Sequence, residues 1–236
     1  MNDQSDSDPT TGAAHWLMTH FPRLFDLYEH SDKANPKNYF NVDYPLPLAE
    51  EEKRLARLDS ASWRVLCDKA APYVCVDDPA RRYQQLWNVL DEARSYVLLA
   101  EQGYEQIIFI EPNKSKKDSK QSPDLIGQKS NSAATLEVKT INESRDNLAE
   151  DAPWRTEAVT VRRVLSAEFR QKVAATIKHA KSQLDSYPHS VERKIVLLII
   201  RFDHGQKTGW HLYSELKDFI TAQTTSEIEV YYEPLM

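Results

Sequence analysis

The sequence predicts an α/β fold, a mixed β-sheet flanked by helices with an N-terminal helical extension. Three observations predict it. Ile195 to Phe202 reads as an apolar run of the kind that a strand buried on both faces requires. Two shorter strand-like segments, around Asp124 and around Glu137, read as a hairpin. Between the hairpin and the apolar run lies a helical period, with Phe169, Val173, Ile177, Ala180 and Leu184 on one face. A hairpin meander followed by a crossover helix and a further strand builds a mixed sheet with helices on its faces.

Residues 1–12 are polar and acidic and are expected to form a disordered tail. Residues 13–77 are expected to form the helical extension. Trp16, Leu17, Phe21, Leu24, Phe25 and Tyr28 recur at near-helical spacing, and Pro22 breaks the pattern or starts a second short helix. Residues 31–47 carry Pro36, Pro45 and Pro47 without periodicity and read as a loop. A helix follows at about 48–58, and Ser60 or Ser62 is placed to cap another that ends before Pro72. The sheet-containing domain is expected at 78–236. Asp78-Pro79 is a helix start, Leu86, Leu90, Ala93, Val97 and Ala100 are its apolar stripe, and Gly103 is its stop. Gln106–Ile110 is a short buried strand, residues 113–122 a basic loop, and residues 141–163 a long connection that is either a functional flap or disordered. Helix 167–187 ends at Pro188. A short strand near Trp210–Tyr213, a helix near Ser214–Ala222 and a strand near Glu227–Glu233 complete the chain.

The 236 residues suffice for one large domain with an extension, and 41% hydrophobic residues fit a globular chain. No apolar run approaches a membrane span, and the N-terminus does not resemble a secretory signal. With only Cys67 and Cys75 there is no disulfide framework and no zinc-ligand spacing, so a cytoplasmic location is the expectation. A net charge of -6 argues against a chain coated in nucleic acid and requires any polyanion to meet a local basic patch.

The chemistry concentrates in Pro123-Asp124-Leu125-Ile126-Gly127 and Leu136-Glu137-Val138-Lys139. Side chains alternate along a strand, so Glu137 and Lys139 share a face while Leu136 and Val138 take the other. Two carboxylates on adjacent strands beside one ammonium suit a hard divalent cation and a phosphate. Carboxylate oxygens bind Mg²⁺, which can turn a bound water into a nucleophile and neutralise charge in the transition state. The lysine can orient that water or hold the phosphate as a point charge.

Pro123-Asp124, twelve intervening residues, then Glu137-Val138-Lys139 resembles the signature of the PD-(D/E)xK nuclease superfamily. The preceding helix carries Glu92, similar to the helix glutamate that often supplies a further metal-side acid in that group. The later helix carries Gln183 and Tyr187, which resemble the Gln-x-x-x-Tyr element of its RecB-like branch. The resemblance covers about residues 79–202 and implies a restriction-endonuclease-like core and a Mg²⁺-dependent nuclease, with Mn²⁺ as a substitute. It implies Asp124 as the central metal ligand, Glu137 as the second, the Val138 carbonyl as a main-chain ligand, and Glu92 as the completing acid. Lys139 would position the attacking water, and Gln183 and Tyr187 would contact the Lys139 region or the phosphate backbone.

Lys114, Lys116, Lys117 and Lys120 in the basic loop, with Arg170, Lys172, Lys178, His179 and Lys181 on the later helix, are candidates for tracking a nucleic-acid backbone. Trp154 in the long connection is a candidate base contact. DNA is the favoured substrate, in a genome-maintenance, restriction or phage-defence setting. The alternatives are a toxin-type nuclease that cuts tRNA and a non-catalytic binding protein on the same scaffold. A homodimer or a larger nuclease complex is compatible with the reading, and no membrane partner is expected. His15, His20, His204 and His211 lack ligand spacing and read as surface or packing residues, and the two cysteines as helix-face or core thiols.

Overall fold

The computed structural model describes residues 18–31, 45–74, 84–110, 122–130, 132–142, 165–187, 191–201 and 210–235. The chain divides into two compact units, Met1–Val97 and Leu98–Met236, a division that falls inside one helix. Among the described residues, no helix is long and apolar enough to cross a membrane.

The first unit is helical: α1 (Pro22–His30), α2 (Pro45–Leu55), α3 (Ser60–Ala70) with a 3₁₀ turn at Ala71–Tyr73, α4 (Gln84–Leu90) and the start of α5 (Glu92–Glu101). Pro22 and Pro45 open helices rather than interrupt them, because a first-turn proline gives up an N–H that has no intrahelical acceptor. The loop expected up to residue 47 therefore ends at Pro45. Phe21 offers α1 no side-chain cap, and the Glu52 carboxylate of α2 supplies it instead, accepting from the N–H groups of Arg23 (2.9 Å) and Leu24 (3.0 Å). At α3 the cap is Asp59, not a serine, with its Oδ1 accepting from the Ala61 and Ser62 N–H groups. Leu24, Leu27, Leu55, Leu66 and Leu90 fill the interior of this unit.

The expected helix up to residue 102 is two segments with a turn at Asp91, and residues 75–83 lie outside the described set. Its stop is as expected. Gly103 takes φ +82°, the Tyr104 N–H reaches back to the Leu99 carbonyl and the Gly103 N–H to that of Ala100, which is a Schellman motif.

The second unit is a five-stranded sheet in the order β1 (Ile108–Phe109), β2 (Leu125–Lys129), β3 (Ser132–Asn142), β4 (Arg193–Arg201), β5 (Glu229–Leu235). The first three strands form the antiparallel meander, and β3, β4 and β5 are parallel. Helix α6 (Ala167–Ser186) crosses from β3 to β4, and α7 (Trp210–Thr221) from β4 to β5. Both crossovers cover one face. Val173, Ile177 and Leu184 of α6 and Leu216 and Ile220 of α7 share a core cluster with Val196, Leu198 and Ile200 of β4. On the other face Tyr104 and Leu99 press on β2, where a Cβ added to Gly127 would lie 3.1 Å from Tyr104 Cβ. Ile195 to Ile200 are therefore buried on both sides, as their unbroken apolar run requires.

The α/β class and the mixed, helix-flanked sheet are those expected from sequence. Beyond the divided helix, two elements differ: the buried strand expected at Gln106–Ile110 is only Ile108–Phe109, with Ile108 exposed, and one expected strand is helical. Trp210–Tyr213 belongs to α7, not to a strand. A four-residue apolar and aromatic run carries no period of its own, and the helix that follows extends back through it.

Candidate active site

Strand β3 lies between its antiparallel partner β2 and its parallel partner β4, and the candidate residues sit where these two pairings meet. The β2–β3 ladder pairs Leu125 with Leu136. One step further, the register sets Asp124 opposite Glu137. Asp124 still uses its main chain there: its N–H donates to the Leu136 carbonyl (3.1 Å) and its carbonyl accepts from the Ile110 N–H (2.8 Å). Its side chain then takes over the role of a strand partner, with Oδ2 accepting from the Val138 N–H at 2.8 Å. A strand residue turns its N–H and C=O to the same edge. The Val138 carbonyl thus faces the side on which the Asp124 carboxylate sits.

The β3–β4 register pairs Glu137 with Val196 and Lys139 with Leu198. Both therefore point into the face covered by α6, while Val138 takes the opposite face. Glu137 is 1% exposed. Its Oε1 accepts from Lys139 Nζ, whose side chain is one-quarter exposed. The site is thus a buried carboxylate, a partly buried carboxylate held by the main chain, a main-chain carbonyl and a lysine that is partly exposed. The oxygens are hard donors, and each carboxylate is fixed by a hydrogen bond to one oxygen, as outer-shell partners fix metal-binding carboxylates. Among the described residues, no group of three or more His, Cys, Asp or Glu side chains is placed to hold a metal ion. A cation at Asp124 and Glu137 would complete its shell with main-chain oxygen and water, which suits Mg²⁺, an ion that retains several waters.

Gln183 and Tyr187 occupy the C-terminal end of α6. Gln183 is 8% exposed and Tyr187 half-buried at the C-cap, whereas Lys172 and His179 on the same helical row are exposed. The polar row of α6 thus turns inward only at its end. That end is tied to β4 by Lys194, whose ammonium lies 2.6 Å from Asp185. The Lys194 ammonium, and after it that of Lys181, holds the Asp185 carboxyl below its ordinary value. Arg170 pairs with Glu215, and Lys181 with Asp185 and Glu227, so two of the helix's cations serve ion pairs within the unit.

Glu92 lies in the first unit, in the first turn of α5, with its carboxylate 2.7 Å from Lys69 Nζ. Lys114, Lys116, Lys117, Lys120 and Trp154 lie outside the described residues. Cys67 is a core thiol whose pKa is pushed up to about 12 by burial and by the nearby Asp26 and Asp68 carboxylates, which disfavours the thiolate. One residue of the site's face escaped the sequence reading. Thr135, two positions before Glu137 and fully buried, follows from the same strand alternation that pairs Glu137 with Lys139.

Comparison with protein-family models, with curated proteins and with solved structures found no match.

Proposed function

We propose that this chain is a Mg²⁺-dependent nuclease of the PD-(D/E)xK type that hydrolyses DNA phosphodiester bonds through a metal-activated water. The observation that carries the reading is the buried Glu137 carboxylate, paired with Lys139 on the core-facing side of β3 and set opposite Asp124. An ion pair in a helix-covered sheet face contributes little to stability that apolar residues would not match, because both charges lose hydration. Its value lies in presenting an acid and an ammonium together. The element order supports the reading as well: a helix, a short strand, the two strands at the Asp124 and Glu-x-Lys positions, a crossover helix and a buried strand.

Asp124, Glu137 and the Val138 carbonyl would hold the metal. When bound, Mg²⁺ supplies Lewis-acid charge and lowers the pKa of a coordinated water. The Val138 N–H keeps the Asp124 carboxylate oriented, and burial of Glu137 keeps its charge from being screened by solvent. Lys139, whose side chain is one-quarter exposed and whose ammonium pairs with Glu137, would hold a phosphate oxygen or take part in orienting the water. Gln183, buried at the end of α6, would contact the Lys139 region.

The test is a cleavage panel. Wild-type protein and Asp124→Ala would meet supercoiled plasmid, linear duplex, single-stranded DNA and total tRNA, with Mg²⁺, Mn²⁺ or EDTA. We expect metal-dependent DNA cleavage that falls at least about 100-fold in the variant, since even outer-shell changes cost ~10–100-fold. Cleavage confined to tRNA would replace the substrate. Failure of a folded wild-type protein to cleave any of the four would overturn the nuclease reading.

A further inference from the structure

Two buried polar atoms of the α6–β3 layer, Thr135 Oγ1 and Gln183 Oε1, have no hydrogen-bond partner among the described residues. Thr135 is 0% and Gln183 8% exposed. A register pair and an ion pair link the elements that carry them. Thr135 lies on β3 two residues before Glu137, on the same face, at about 6–7 Å by strand rise. Its register partner on β4 is Lys194. Lys194 in turn holds Asp185 of α6 at 2.6 Å, two residues beyond Gln183. That ion pair ties the last turn of α6 to the β4 residue beside Thr135.

A buried hydroxyl without a partner is destabilising, whereas valine has the same shape and carries no such penalty. Small polar niches in protein interiors take up a water that makes two to four hydrogen bonds. Thr135 Oγ1 can donate to such a water, and the water can donate to Gln183 Oε1 and to the Glu137 carboxylate. We propose that Thr135 is a positioning residue for Glu137: with Gln183 it holds an internal water that fixes the carboxylate for the divalent cation. This deepens the proposed function and rests on it. Thr135 touches neither metal nor substrate and acts only through Glu137.

The experiment is calorimetric titration of MgCl₂ and CaCl₂ into wild-type protein and into Asp124→Ala, Thr135→Val, Thr135→Ser and Gln183→Leu, with metal-free thermal melts of each. We expect wild-type binding that Asp124→Ala abolishes. Thr135→Val should weaken binding about tenfold or more, the scale for outer-shell partners, with a metal-free Tm no lower than that of wild type. Thr135→Ser, which keeps the hydroxyl, should bind within about threefold of wild type, because its outer-shell donor is intact. Thr135→Val combined with Gln183→Leu should lose little more than either change alone, since both empty the same bridge. Wild-type affinity in Thr135→Val, or an equal loss in Thr135→Ser, would overturn the inference and leave the nuclease reading standing. Fully multiplied losses in the combined variant would overturn the shared water. No binding by wild type would overturn both the inference and the metal site on which it rests.

Discussion

A carboxylate that is 1% exposed inside a five-stranded sheet has lost nearly all of its hydration, and Lys139 is what replaces it. Removing one partner of such a pair is costlier than removing both, because the remaining charge stays buried. Lys139→Ala should therefore destabilise the protein by about 2–4 kcal/mol, and adding Glu137→Gln should recover most of that loss. Urea midpoints of the two variants check it, and neither variant should cleave. A neutral Lys139→Ala would mean that the pair does not hold Glu137. Asp124 works differently: its replacement takes the carboxylate acceptor from the buried Val138 N–H, so it should remove activity and cost about 1–3 kcal/mol, read from the same urea midpoints.

At the level of elements, local chemistry decides where segments begin, end and approach. Gly103 ends α5 in a left-handed conformation that a side chain would strain, and Gly127 lets β2 pass close under Tyr104 and Leu99. The two glycines have different reasons and should respond differently. Gly127→Ala would bring a methyl to 3.1 Å from Tyr104 Cβ, which is anchored on the main chain, and to 3.3 Å from Leu99 Cδ1, the end of a side chain. We expect a loss of about 1–3 kcal/mol from overpacking, read from denaturant midpoints. No change would show that the Tyr104 segment adapts. Helix α1 illustrates a cap no local rule could find. Its N–H groups are met by Glu52, more than twenty residues downstream in sequence, across the helical unit.

For the molecule as a whole, several carboxyls tie stability to pH. Hydrogen bonds from Ser62 hold Asp59 below its ordinary value despite burial, Arg193 does so for Glu229, and Lys194 for Asp185. A depressed carboxyl contributes stability that is present above its unfolded value and lost as pH falls toward its folded one. Glu52, raised chiefly by burial, acts in the opposite sense over the same range. With three depressed carboxyls against one raised among the described residues, stability should be level near neutrality and decline below about pH 4, where free Asp and Glu begin to protonate. Melting temperatures across pH 3–7 (roughly the span in which these groups titrate) test this, and a Tm that rises on acidification would contradict it.

Sequence by itself determined what depends on neighbours along the chain. The alternation in Leu136-Glu137-Val138-Lys139, the helical row from Phe169 to Leu184, the apolar run of β4 and the glycine stop at residue 103 were all legible, because strand, helix and turn impose fixed local periods. It also brought Asp124 and Glu137 into one site, since a hairpin fixes its own register. The tertiary structure decided the rest. Whether the Glu137 face was solvated or covered depended on α6, thirty residues away in sequence. The turning-in of Gln183, the burial of Thr135, the Glu92–Lys69 pair and the Glu52 cap depend on which helix lies against which neighbour. Burial and long-range pairing follow from the packing of distant segments, and no local period encodes them.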